Sequence, residues 1–201
     1  MPLNSTDITH PRDPVQASLW DLLSRWLDAV REGTGHLPSL SHDEDWPSPC
    51  VVEGPDAASQ VRWHPLSREE RADFSGIEHA LETRLHPDIQ SFYGSFYSNP
   101  VPMRAPDGKL TLLQVWSDRD FDRLLENLIG HALAQRRAGT PFSLFIAVTD
   151  EDDLNLCVNN EHGNVVLERP GEPPLREVAS SLVEFLDDLE PLLPDDSGDT
   201  F

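Results

Sequence analysis

The sequence predicts a single α+β domain whose mixed, mainly antiparallel sheet of about five to six strands packs against helices. Three observations lead there. Apolar segments flank the turn Pro106-Asp107-Gly108, and two more flank Asn159-Asn160-Glu161-His162-Gly163, so the strands are expected to pair as hairpins. Around the hairpins, apolar residues recur at three- and four-residue spacing, which marks helices with one buried stripe. The segment FSLFIAV (142–148) is continuously apolar, as a central strand covered on both faces must be.

Residues 1–12 read as a loose arm. Asp13, Pro14 and Gln16 then supply an N-cap, a proline for the first helical position and a capping partner. The helix starting there places Val15, Leu19, Leu22, Leu23, Trp26, Leu27 and Val30 on one stripe that ends before Gly33 and Gly35. Residues 33–49 are rich in Gly, Pro, His and acid, and CVV (50–52) and QVRW (60–63) follow as short strands able to pair around EGPDAAS. Residues 74–84 have helical spacing, and a second helix restarts after His86-Pro87 with Phe92, Tyr93, Phe96 and Tyr97 as core.

VPMRA (101–105) and LTLLQVW (110–116) form the first hairpin, and Ser117 with Asp120 resembles a capping box. The helix it opens carries Phe121, Leu124, Leu125, Leu128, Ile129 and Leu133 and stops by Gly139. After the central strand, LNLCV (154–158) and NVVLE (164–168) make the second hairpin. Pro173-Pro174 is expected to open a terminal helix with Val178, Ala179, Leu182, Phe185, Leu186 and Leu189 inward. The domain thus spans 13–193, before an acidic tail at 194–201.

Composition narrows the function. Asp and Glu number 36 against 15 Lys and Arg, giving a formal charge of −21, and Lys109 is the only lysine. Phosphate contacts are made by Lys and Arg, so nucleic acid is disfavoured as a partner, whereas a basic protein surface is suited. The same charge also keeps a protein in solution, for instance in a salty cytoplasm, and the two uses are compatible. Cys50 and Cys157 are too few for a disulfide scaffold and are expected to be reduced thiols. The polar start is not read as a secretory signal, and no apolar run of about 18 residues offers a membrane span.

Chemical sites find little support. Gly33-Thr34-Gly35 runs into Leu37-Pro38 and breaks the phosphate-loop pattern; no nucleophile elbow and no zinc-ligand spacing occurs. His42-Asp43-Glu44-Asp45 reads as a solvated loop, and His131 as a satisfied, partly buried histidine on the long helix. The acids Asp150, Glu151, Asp152 and Asp153 follow the central strand, and Asp118, Asp120, Asp122 and Glu126 enter the long helix. Without a nearby Lys or His at fixed spacing they form no defined metal or catalytic set, so no cofactor, metal or enzymatic activity is expected. If both groups face one side, they create one negative field.

PSPC (47–50), KLTLLQVWSDRDF (109–121), ENLIGH (126–131), LFIAV (144–148) and VEFLDDLEPLL (183–193) resemble the bacterial Syd family, over roughly Pro14 to Leu193. The resemblance implies a SUKH-related fold and a cytosolic protein, here expected to be a monomer, that associates loosely with the inner face of the inner membrane by binding the channel subunit SecY. It implies that an electronegative concave surface makes this contact, and the eight acids just named are its candidates. The SUKH relationship leaves an alternative, an immunity protein that binds a basic toxin.

Overall fold

The computed structural model describes residues 13–151 and 153–193, so the expected arm, the acidic tail and Asp152 lie outside the described residues. Helix α1 (Pro14–Thr34) begins as its sequence requires: Asp13 Oδ1 accepts the Gln16 N–H at 2.9 Å. It continues through Gly33 and ends at Gly35, whose φ of +78° is a left-handed conformation that costs glycine no Cβ clash. All seven stripe residues are buried.

Three short strands follow in the order β1-β3-β2: β1 (Ser39–Ser41), β2 (Val51–Glu53) and β3 (Gln60–Trp63). The β2–β3 pairing matches the hairpin read from sequence. Strand β1 falls in the segment read as loop, because three residues are too few to show an alternation. A two-stranded ladder of β4 (Leu66–Ser67) and β5 (Phe96–Tyr97) brackets α2 (Ser75–Leu81) and α3 (Pro87–Gly94). Helix α2 is shorter than its sequence pattern suggests. Glu82 adopts φ +52°, and Glu78 Oε1 takes the Leu85 N–H at 3.0 Å, turning the chain away.

The main sheet has seven antiparallel strands: β6 (Val101–Ala105), β7 (Gly108–Leu112), β8 (Ser143–Thr149), β9 (Asn155–Asn159), β10 (Val165–Glu168), β11 (Arg176–Ala179) and β12 (Glu190–Pro191). Their order, β11-β10-β9-β8-β7-β6-β12, puts the apolar β8 in the centre. Helix α4 (Asp118–Ala138) joins β7 to β8 and ends at Gly139, φ +70°. Its buried line runs through Phe121, Leu128, Ala132 and Gln135, while Leu133, expected on the stripe, is 37% exposed.

The expected helix from Pro174 is mostly not helical. Residues 176–179 instead pair with β10 as an edge strand, and only Leu182–Asp187 form α5, capped by Ser181 Oγ on the Glu184 N–H at 3.1 Å. A short apolar run fits either period, and the free edge of β10 decides it. Strands β11 and β12 therefore raise the sheet from the expected five or six strands to seven. Helix α5 carries the chain from one sheet edge to the other, and α1 packs over this crossing, with Trp26 Nε1 donating to Leu192 O at 3.1 Å and Arg25 Nη1 to Leu189 O at 3.2 Å.

The sheet is strongly curled. Arg176 on β11 and Asp107 in the β6–β7 turn are separated by four to five strand spacings, about 19–24 Å in a flat sheet. Yet Arg176 Nη2 lies 2.7 Å from Asp107 Oδ2.

Candidate functional site

Curling brings three chain segments around one opening. The β6–β7 hairpin pairs Ala105 with Gly108, leaving Pro106 and Asp107 as a two-residue tip. Beside it, the β8–β9 turn closes through Thr149 N–H to Leu154 O at 3.2 Å and Leu154 N–H to Glu151 O at 3.3 Å. Thr149 Oγ1 accepts the Glu151 N–H at 3.2 Å, and Asp153 takes a left-handed φ of +70°. These backbone bonds point the turn's carboxylates outward. Asp150, Glu151 and Asp153 are exposed, and none of the three has an ion pair or side-chain hydrogen bond among the described residues. The third segment is the end of α5, which adds exposed Asp188.

The opening is a concavity of about 240 Å³. Its rim carries Asp107, Asp150, Glu151 and Asp188 against Lys109 and Arg176, and its floor includes Leu154, Leu156, Leu167, Phe185 and Leu189. Pockets that enclose a small organic ligand run to roughly 300–1,000 Å³. The smaller volume has room for only one or two side chains, with acids at the edge and apolar residues below.

The acids at the start of α4 are placed differently. Leu110 pairs with Thr149 and Leu112 with Ala147, so the β8–β9 turn lies past the Gly108 end of β7, whereas α4 starts beyond its opposite end. The two groups thus belong to two fields rather than one. Asp118 Oδ1 accepts Arg68 Nη1 at 3.0 Å and the Tyr97 hydroxyl at 2.6 Å. Arg68 is itself 6% exposed and stacks over the Tyr97 ring at 4.0 Å. Burial, reinforced by the bond to Asp118, pushes the Tyr97 hydroxyl up to about 12. Asp120 takes part in the helix start: Ser117 Oγ accepts its N–H at 3.2 Å, and its Oδ2 accepts the Trp116 N–H at 2.9 Å. Asp122 and Glu126 are exposed, but Arg119 and Arg123 share that part of the helix, both over Trp46.

Sequence reading missed Asp107, Asp188, Lys109 and Arg176 as neighbours of the β8–β9 turn. Only the strand order and the curl bring them there.

Fold and mouth together define a class, a single-domain α+β protein whose curled antiparallel sheet opens into an acid-rimmed, apolar-floored concavity. The family model described as Syd protein (SUKH-2) matches residues 16–191. Protein Syd of Pseudoalteromonas atlantica is 40% identical over 183 residues, covering 90% of this chain and 98% of that protein. Protein Syd of Yersinia pestis strain Pestoides F and of Yersinia pseudotuberculosis serotype IB are each 41% identical over 181 residues, again 90% of this chain and 98% of the relative. The chain belongs to the Syd family. Among the described residues no helix is long and apolar enough to cross a membrane.

Proposed function

We propose that the protein binds the cytoplasmic side of the channel subunit SecY through the acid-rimmed mouth, and so regulates or polices channel that is free or wrongly assembled. The observation that carries the reading is the mouth itself, with outward Asp150 and Glu151, unpaired among the described residues, beside Asp188 over an apolar floor. Cytoplasmic loops of membrane proteins carry an excess of Lys and Arg, which complements this rim. Anionic lipid repels it, so attachment to the inner face of the membrane runs through the channel and leaves the protein loosely peripheral. A basic loop held here is withheld from a ribosome or motor. Exposed Asp153, in the same turn as Asp150 and Glu151, adds to this negative charge, and Asp122 and Glu126 offer a second, weaker acidic patch; Asp118 and Asp120 serve mainly the fold.

Each exposed pair contributes only about 0–1 kcal/mol, so affinity depends on several contacts at once and falls with salt. Pull-down of SecYEG from detergent extract at low and high salt tests this. Capture that weakens as salt rises is expected. Failure to capture SecYEG at low salt, with capture of a basic nuclease toxin instead, would replace this reading by the immunity one.

A further inference from the structure

A second cluster lies under α4, away from the mouth. Glu168 at the end of β10 is 1% exposed, and its two oxygens accept Ser143 Oγ at 2.8 and 2.9 Å. Gln135 Nε2 donates to the same carboxylate at 3.1 Å and to Ser143 Oγ at 2.6 Å. These donors are neutral, and a buried carboxylate needs a proton or a cation to balance it. Beside it, the His131 side chain is 9% exposed, stands edge-on to Phe145, and is not satisfied as its sequence context suggested. Its Nε2 makes no hydrogen bond among the described residues, and lies 3.4 Å from Glu168 Oε1, an ion pair only when the ring is protonated. Cys157, 0% exposed on β9, completes the group. The donor atoms of His131, Cys157 and Glu168 all lie within 4.8 Å of one another.

We propose that His131 Nε2, Cys157 Sγ and a Glu168 oxygen form a site for one divalent transition-metal ion of the zinc class, which ties α4 to β9 and β10. Zinc bonds of about 2.0 Å to nitrogen or oxygen and 2.3 Å to sulfur, in a tetrahedron, place ligand atoms roughly 3.3–3.7 Å apart. The His131–Glu168 separation of 3.4 Å already has this value. Imidazole and thiolate together select zinc or cobalt over magnesium or calcium, which take oxygen ligands. The ion gives the orphaned nitrogen a partner and balances the buried charge. Ser143 Oγ stands next to the carboxylate. Burial, with the neighbouring Glu168, pushes the Cys157 thiol well above its ordinary range. Ligation by the thiolate releases the thiol proton to solvent.

Reduced, chelator-treated protein is titrated with zinc chloride alone, and with cobalt(II) as a spectroscopic probe. The site predicts one equivalent retained after dialysis, a thiolate-to-cobalt charge-transfer band, and a melting point raised by roughly 5–10 °C at a hundredfold excess over Kd. Retention and band are lost in Cys157→Ala and His131→Phe. Both persist in Asp150→Asn/Glu151→Gln and in Cys50→Ala, where Cys157 is the remaining thiol. The Cys50→Ala spectrum decides the matter even where Cys157→Ala fails to fold. No retained metal, cobalt bound without the thiolate band, or uptake unchanged in folded Cys157→Ala overturns the proposal.

Discussion

The start of α4 and the β8–β9 turn are both runs of acid beside an apolar element, yet the fold uses them in opposite ways. At the helix start, Asp118 holds the buried Arg68 and the Tyr97 hydroxyl, and Asp120 closes the cap. At the turn, backbone bonds and the Thr149 hydroxyl do the structural work, and the carboxylates face solvent. Acidity in a sequence is therefore ambiguous until the partners are known. A carboxylate that binds an internal cation contributes to stability and little to an external field, whereas an unpaired one does the reverse.

The contrast is broken most severely at Arg68. Arg68→Ala removes packing over Tyr97 and Phe121 and leaves Asp118 without its cation, so urea denaturation should show a loss of about 2–4 kcal/mol. A loss under about 0.5 kcal/mol would mean that the α4 acids are as idle structurally as those of the turn. Asp13→Ala should cost about 1–2 kcal/mol, because Asp13 caps α1 and also accepts Ser91 Oγ at 2.7 Å and Arg71 Nη2 at 2.6 Å. Its effect depends on pH. Burial alone would raise this carboxyl, but the bonds from Gln16, Ser91 and Arg71 hold it below its ordinary 3.8. The stabilisation is thus complete above that value and is lost as pH falls through the lower folded value, so wild type and Asp13→Ala should converge in acid melts.

Ser117→Ala, which removes only the cap of α4, should cost about 1 kcal/mol, read from the same urea curves. Smallest of all, Asp150→Asn/Glu151→Gln should stay within about 0.5 kcal/mol of wild type in stability. A larger loss would show that the turn's carboxylates have structural partners after all.

The sequence made α1 and α4 legible because caps, stripes and terminal glycines are local signals: Asp13 with Gly35, and Ser117 with Gly139. It misled at residues 176–179, where four residues fit a helix or a strand and the unpaired edge of β10 settles the matter. The acids were visible but their division was not. Arg68 lies 50 residues before Asp118, and Tyr97 21 residues before it. Asp107 and Asp188 reach the mouth only through the curl that also joins Arg176 to Asp107. His131, Cys157 and Glu168 stand on three separate elements, so no spacing rule could have grouped them.

The most direct test compares two variants that each remove two charges: Asp150→Asn/Glu151→Gln at the mouth and Asp122→Asn/Glu126→Gln on α4. Binding to purified SecYEG in detergent is measured for each across a salt series. The account predicts at least a severalfold loss of affinity and a shallower salt dependence for the mouth variant, with the α4 variant close to wild type. Equal losses in both would reduce the interaction to net charge, and a loss confined to the α4 variant would contradict the assignment of the mouth as the binding surface.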